Sequence, residues 1–341
     1  MKILLIGGTG TISMAISRKL LEQGHNLFLL NRGTKNQHFS SYKNMTEIKA
    51  DINDEAAVYE QIKDLEFDSV VDFIAFVPAH LERDVRLFYG RTKQFIFISS
   101  ASAYQKPPSD YHISEGTPLS NPYWEYSRNK IAGEEYLMKY YRDEGFPVTI
   151  VRPSHTYSKN SVPLGVHGDY GSFQVIKRMM EEKPVIIHGD GTSLWTMTHA
   201  NDFAEGFVGL LGNIHAIGEA VQITSDENLT WNQIYQSIAD ALGVPLKPYY
   251  VSSEFLNRCS NYDFRGSLIG DKANTVVFDN TKLKRLVPDF VAKKRFDQGI
   301  KEALFYILAH PELQIIDPNF DAWCDRVIKE LDTAAERIVK Y

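Results

Sequence analysis

The chain has 341 residues, 43% hydrophobic and 12% aromatic, enough to bury a sizeable core at roughly two domains' length. Lys and Arg total 37 against 43 Asp and Glu, a net charge of −6 with no long run of like charges. That balance disfavours a general nucleic-acid binder, whose phosphate affinity rests on clustered cations. Two cysteines, Cys259 and Cys324, exclude a disulfide framework and fit a reducing cytoplasm. The opening apolar run breaks at Gly7 and Gly8, too early for a signal peptide, and no stretch of 18 apolar residues follows, so no membrane association is expected.

In chain order, residues 2–6 read as a buried strand, followed by a glycine turn and an amphipathic helix carrying Met14, Ile16, Leu20 and Leu21. Strands are predicted at 26–30, 46–49, 69–74, 94–99 and 147–152, with helices at 55–65, 81–89 and 123–144 between them. Strands alternating with helical patterns imply a doubly wound α/β domain of Rossmann type, a parallel sheet covered by helices on both faces. Beyond Arg152 the alternation fades, and Pro153, Pro163, Gly165, Gly168 and Gly171 mark an irregular stretch. The later pattern suggests a helix at 173–182, a strand at 184–188, a helix at 201–211 and a strand at 220–224. The expected division is a dinucleotide-binding domain over 1–152 and a smaller α/β substrate domain over 153–341, some of whose elements return to the first. The last forty residues read as a helical extension with Phe320, Trp323, Val327, Ile328 and Leu331 as a packing stripe.

The first strand–helix junction reads Gly7-Gly8-Thr9-Gly10-Thr11-Ile12-Ser13. Glycines there allow a tight turn and close approach of backbone to a pyrophosphate, while the helix aims its N–H groups at the phosphates. Ser13 stands where a third glycine often sits, so slightly looser helix–strand packing is expected. The second strand ends in Asn31-Arg32 where an acidic residue would hydrogen-bond the ribose diol. A guanidinium at Arg32 pairs well with a 2′-phosphate, which leans the coenzyme toward NADP over NAD. Stacking on adenine or a solvated loop cation remain open for it. Asp51 and Ile52 lie where an adenine would be flanked, or where an acid would cap the next helix.

Tyr126 and Lys130 are four residues apart on the long predicted helix, and so on one face. Tyr59 with Lys63 and Tyr89 with Lys93 share that spacing on polar stretches that read as solvated. What separates Tyr126 is its place just after the fifth strand, whose end carries Ser100, because ligands of doubly wound sheets bind at the carboxyl ends of strands. Hydride transfer at a carbinol carbon needs a group to take the alcohol proton. A tyrosine, with a pKa of ~10, needs help, and the Lys130 ammonium is expected to lower it. Ser100 is expected to hydrogen-bond the substrate oxygen.

Gly7-Gly8-Thr9-Gly10, Ser100 and Tyr126…Lys130 together resemble the extended short-chain dehydrogenase/reductase superfamily, in particular its NAD-dependent epimerase/dehydratase family. Val151-Arg152-Pro153 and His188-Gly189-Asp190-Gly191 leading to His199-Ala200-Asn201-Asp202 extend the likeness over most of the chain. The resemblance implies an NAD(P)-dependent epimerase or dehydrogenase/reductase acting on a carbohydrate held between two domains, usually as a homodimer. Ser100, Tyr126 and Lys130 would carry the chemistry, and backbone around Ala75, Pro153 and Ser154 would line the nicotinamide side. Several positions depart from the family. Ala101 and Ser102 replace the Asp-Glu pair of nucleotide-sugar 4,6-dehydratases, which argues against that activity. Trp195 and Leu268 replace two arginines that grip a substrate diphosphate, with Arg265 near enough in sequence to stand in for the second. His155 replaces an Asn. Ser102, Tyr104, His155 and Trp195 are therefore the expected substrate pocket, Trp195 either as a stacking platform or as core. His199 with Asp202 reads as helix capping, and ten histidines without clustering suggest no metal site. The competing expectation is a non-catalytic cofactor-sensing or RNA-associated protein of the same fold.

Overall fold

A computed structural model describes residues 1–33 and 39–339. The strands are β1 (Lys2–Ile6), β2 (Asn26–Asn31), β3 (Met45–Lys49), β4 (Ser69–Asp72), β5 (Phe95–Ile98), β6 (His112–Ile113), β7 (Val148–Pro153), β8 (His155–Tyr157), β9 (Val185–His188), β10 (Leu194–Trp195), β11 (Met197–His199), β12 (Ala220–Ile223), β13 (Leu229–Thr230), β14 (Pro248–Val251) and β15 (Val277–Phe278). The helices are α1 (Thr11–Glu22), α2 (Glu55–Ile62), α3 (Pro78–Phe88), α4 (Glu125–Glu144), α5 (Phe173–Met180), α6 (Ala200–Leu210), α7 (Trp231–Leu242), α8 (Ser253–Arg258), α9 (Thr281–Leu286), α10 (Phe296–Leu308) and α11 (Pro318–Val339).

Seven strands form one parallel sheet in the order β12-β7-β5-β4-β1-β2-β3. From β1 the chain first moves outward through β2 and β3, then returns to the other side of β1 for β4 and β5. That reversal opens a crevice beyond the carboxyl ends of β1 and β4, where doubly wound sheets bind ligands. All four residues of β4 and of β5 are buried, as strands covered on both faces must be. One face packs Leu4, Ile6 and Val70 against Val58, Leu81, Val85 and Leu137. The other packs Ile3 and Leu5 against Ile16, Leu20, Phe203 and Phe207.

Two elements from beyond Arg152 belong to this sheet layer: β12 extends its edge beside β7, and α6 packs on α1. α9 joins them, with Leu283 buried on the same face as Phe203 and Phe207, while α5, α7, α8, α10 and α11 build a separate apolar cluster around Trp231, Ile300, Phe320 and Val327. The α11 stripe lies there, with Phe320 and Val327 buried and Trp323, Ile328 and Leu331 partly so. Predicted elements in the first half agree within a few residues. The third helix starts earlier than expected, at Pro78, because proline at the first helical position gives up no hydrogen bond. Among the described residues, no helix is long and apolar enough to cross a membrane.

Candidate active site

Gly7 turns the chain out of β1 with φ +80, and a Cβ there would lie 2.6 Å from Ile74 Cγ2. A side chain is therefore excluded on two grounds. Ser13 does not loosen the packing as expected. Buried under the turn, its hydroxyl accepts from Gly10 N–H at 2.7 Å and donates to the Gly7 carbonyl at 2.9 Å, so it ties the turn to the first turn of α1. No acidic side chain occupies that first turn, which leaves its positive end facing the crevice.

Gly7, Gly10, Asn31, Arg32, Asp51 and Ile52 meet around one cavity of about 440 Å³ beyond β1 and β2. A Cβ on Gly10 would meet nothing nearer than Ser13 Oγ at 3.4 Å, so bare backbone faces this space. A dinucleotide's adenosine and phosphates fit such a lining. Thr11 faces a neighbouring cavity beside Arg18, while Ile12 is half-buried against the α1 core. Asp51 is not a helix cap: its Oδ1 accepts from Asn53 N–H at 2.9 Å, and Asp54 caps α2 through Ala57 N–H.

α4 carries Tyr126, Ser127, Lys130 and Glu134 along the side that meets the sheet. Lys130 Nζ donates to the carbonyls of Ala75 and Ile98 at 2.6 and 2.8 Å and lies 5.6 Å from the centre of the Tyr126 ring. Burial pushes its pKa down to about 8. The phenol moves in the direction opposite to expectation. Burial raises the Tyr126 pKa, the neighbouring Ser100 hydroxyl lowers it, and the charge of Asp271 raises it again. Desolvation outweighs the help of nearby donors, and the phenol holds its proton at neutral pH.

Ser100 is set by a chain of hydroxyls. Ser127 Oγ donates to Ser102 Oγ at 2.8 Å, Ser102 Oγ lies 2.9 Å from Ser100 Oγ, and Ser102 N–H also donates to Ser100 Oγ at 3.1 Å. Either hydroxyl of the Ser100–Ser102 pair can donate to the other; the arrangement in which Ser127 donates to Ser102 and Ser102 donates to Ser100 leaves the chain running in one direction. In that arrangement Ser100 accepts twice, from Ser102 Oγ and Ser102 N–H, and its own proton is left for an oxygen on the Tyr126 side.

Ser100, Ser102, Tyr126, Pro153, Ser154 and His155 line a cavity of about 260 Å³ at the carboxyl ends of β5 and β7. Trp195 is one wall, 3% exposed and stacked on Trp231 at 5.9 Å, so it is core and pocket lining at once. Its buried Nε1 and the buried Nδ1 of His155 have no hydrogen-bond partner among the described residues. Burial holds His155 well below the usual histidine pKa, so it is neutral.

One expected pocket residue falls outside the site, and two other positions take a different form from the one expected. Tyr104 is buried behind the site with its hydroxyl 2.8 Å from Gln222 Oε1, because the turn at Ala101–Ala103 sends it inward. Ala75 is 1% exposed and its backbone is taken, N–H by Asp72 and carbonyl by Lys130, so the loop presents Ile74 and Phe76 instead. Arg265 does not line this cavity but borders an adjoining groove that Tyr126 and Trp124 line as well, while Leu268 is fully buried. Lys106, Trp124, Asp271 and Lys272, unforeseen from the sequence, complete the lining. Lys106 lies five residues beyond Ala101 and the other pair sits on the Arg265–Lys272 helical segment, and neither stands at a position where the family carries an arginine.

The buried carboxylate of Glu134 fixes α4 in register. Arg152 Nε and Nη2 pair with it at 2.9 and 2.5 Å, and Ser99 Oγ donates to it at 2.5 Å.

The sequence pattern of the NAD dependent epimerase/dehydratase family matches residues 3–224. The chain is 23% identical to a 2'-dehydrokanamycin reductase of Streptomyces kanamyceticus over 85% of this chain and 80% of the relative. It is 26% identical to the chloroplast stem-loop binding protein of 41 kDa b of Arabidopsis thaliana over 72% of this chain and 64% of the relative. Among solved structures, UDP-glucuronic acid 4-epimerase from Bacillus cereus, in complex with UDP-glucuronic acid and NAD, superposes with a TM-score of 0.71 at 20% identity over 91% of this chain and 99% of that one. The dTDP-glucose 4,6-dehydratase of Bacillus anthracis, with NAD, gives 0.72 at 19% over 92% and 98%. With the glycine turn, the sheet order and the match over most of the first 224 residues in agreement, the chain belongs to the NAD dependent epimerase/dehydratase family.

Proposed function

We propose that the protein moves a hydride at a secondary alcohol of a sugar or nucleotide-sugar-like substrate, with Tyr126 as acid/base, Ser100 as the hydrogen-bond donor to the reacting oxygen, and Lys130 as the ammonium beside both. A bound nicotinamide dinucleotide would supply the hydride acceptor or donor, held by Gly7, Gly10, Thr11, Asn31, Asp51 and Ile52 at one end and by Pro153 and Ser154 at the other. The observation that carries the reading is a single cavity onto which Ser100 and Tyr126 both open, with Lys130 behind the phenol. The protonated phenol is ready to give its proton to a carbonyl oxygen as hydride arrives, and to recover it when an alcohol is oxidised.

On the substrate side, His155, Trp195 and Ser102 shape the pocket, with residues 153–341 furnishing most of it. Ala101 and Ser102 offer no carboxyl group, so the proposal is epimerase or dehydrogenase/reductase chemistry, not water elimination. Arg32 at the ribose end favours NADP over NAD.

The test is Tyr126→Phe. Turnover is expected to fall by a factor on the order of 10²–10⁴ with cofactor affinity nearly unchanged, and near-normal turnover would reject the role. Coenzyme that stays bound through gel filtration, with substrate isomerised and no net reduction, identifies an epimerase. Net production of reduced coenzyme identifies a dehydrogenase. The likeness to a stem-loop binding protein supports a second reading, an RNA-associated protein. Salt-sensitive RNA binding that persists in Tyr126→Phe, without turnover in the unaltered protein, would favour it.

A further inference from the structure

Lys106 and Lys272 face the catalytic cavity from two distant parts of the chain, with Asp271 beside them. Lys106 is 4% exposed. Its Nζ is 3.8 Å from Asp271 Oδ1, too long for a hydrogen bond, and 5.6 Å from the centre of the Trp195 ring. Lys272 Nζ donates one hydrogen bond, to the Ser267 carbonyl at 3.3 Å, and lies 6.0 Å from the centre of the Trp124 ring.

The backbone beneath these side chains is anchored. The Lys272 carbonyl accepts from Trp231 Nε1 at 3.0 Å and pairs with His188 Nε2 at 3.2 Å. Asn121 Nδ2 donates to both the Gly270 and the Ser102 carbonyls, at 2.7 and 2.8 Å, which clamps this turn to the strand end that bears Ser100.

Two ammonium groups thus share one carboxylate inside a largely buried space. Burial lowers the pKa of both lysines and raises that of Asp271, and the lysines oppose each other's charge. Asp263 offsets Lys272 from a distance, but its Oδ1 is engaged with Gly266 N–H. Packing alone is served better by apolar side chains than by an excess buried cation. An oxyanion entering the cavity would balance the charge, and the unpartnered N–H of Trp195 would add a donor on the same wall.

We propose that Lys106 and Lys272 form an oxyanion subsite, so that the sugar whose alcohol meets Tyr126 also bears a carboxylate or a phosphate. This deepens the hydride-transfer reading by naming a substrate class, and it rests on that reading for which hydroxyl reacts. The cavity of about 260 Å³ suits one sugar ring with a small charged substituent.

The test is equilibrium binding to the coenzyme-loaded protein, by calorimetry at fixed ionic strength, with glucose, glucuronate and glucose 1-phosphate as probes. At least one anionic sugar is expected to bind about tenfold or more tighter than glucose, and the tighter of the two tells carboxylate from phosphate. Lys106→Met and Lys272→Met should each remove most of that preference, and Lys272→Arg should keep it. Equal binding of all three probes by the unaltered protein, no binding of any, or a preference that survives in both Met variants would overturn the subsite. The unaltered protein supplies the first comparison, so a variant that fails to fold does not decide the matter. Binding needs no turnover: loss of anion preference with Tyr126→Phe still inactive removes the subsite and leaves hydride transfer standing. Anion preference with an active Tyr126→Phe does the reverse.

Discussion

Replacing Glu134 by Ala should be among the most damaging single changes near the site. Its carboxylate accepts two hydrogen bonds from Arg152 and one from Ser99, and the side chains of the ion pair are only 4–5% exposed. Removing one partner strands a guanidinium in a place water cannot reach, a loss of about 3–5 kcal/mol against a typical total of about 5–15 kcal/mol. Arg152 also lies 4.9 Å over the Tyr104 ring, which softens the loss without supplying a counter-charge. The double variant Glu134→Leu with Arg152→Met removes both charges and should recover most of the stability. Activity should fall in step, because Lys130 and Tyr126 lie one and two turns back along α4, and a displacement of about 1 Å in a catalytic group costs on the order of 100-fold. Urea unfolding followed by tryptophan fluorescence measures the first effect, and turnover in the folded fraction the second. A loss under about 1 kcal/mol for Glu134→Ala, or a double variant no more stable than the single one, would show that the pair does not hold the helix in place.

Three other outcomes are expected. Arg32→Ala should weaken NADP binding by about tenfold while sparing NAD, measured by fluorescence titration of both coenzymes, and equal losses would refute recognition of the 2′-phosphate. Lys130 should lose its proton as pH rises through about 8, since burial disfavours the charged form. A lysine side-chain resonance titrating there should vanish in Lys130→Met, and coenzyme retention should weaken above that pH, not below it; a profile insensitive to Lys130→Met would sink the assignment. Ser102→Ala should lower kcat about five- to tenfold by releasing the Ser100 hydroxyl, with substrate KM moving less, on the worth of about 1 kcal/mol for one hydrogen bond; an unchanged kcat would mean that Ser100 orients itself.

The features visible in the sequence are those that local patterning dictates. Buried parallel strands read as apolar runs, the glycine turn is punctuated, and Tyr126 with Lys130 follows the strand bearing Ser100, so the sheet and three candidate side chains are legible in the sequence. The missed features depend on which way a side chain turns or on distant segments meeting. Tyr104 faces inward because a short helical turn over Ala101–Ala103 follows the strand end, and the sequence does not announce that turn. Lys106, Asp271 and Lys272 come together through tertiary contacts for which no short-range pattern exists. At Ser13 the hydroxyl, not the bulk, decides the outcome, because it makes two bonds that a glycine lacks. At Tyr126 the removal of water raises the pKa, and burial is not written in the charges nearby in sequence.

The edge position of β12 bears on how the chain is made. A ribosome that has delivered only the first 153 residues has produced a sheet whose last strand, β7, still has a bare flank, and whose helix α1 still lacks α6 as a cover. α6 is complete only at Leu210 and β12 only at Ile223, so the bare flank of β7 stays open for longer than the uncovered face of α1. A nascent chain of this architecture therefore passes through a stage when it is prone to stick to its neighbours, and a slow stretch of translation before residue 220 would prolong that exposure.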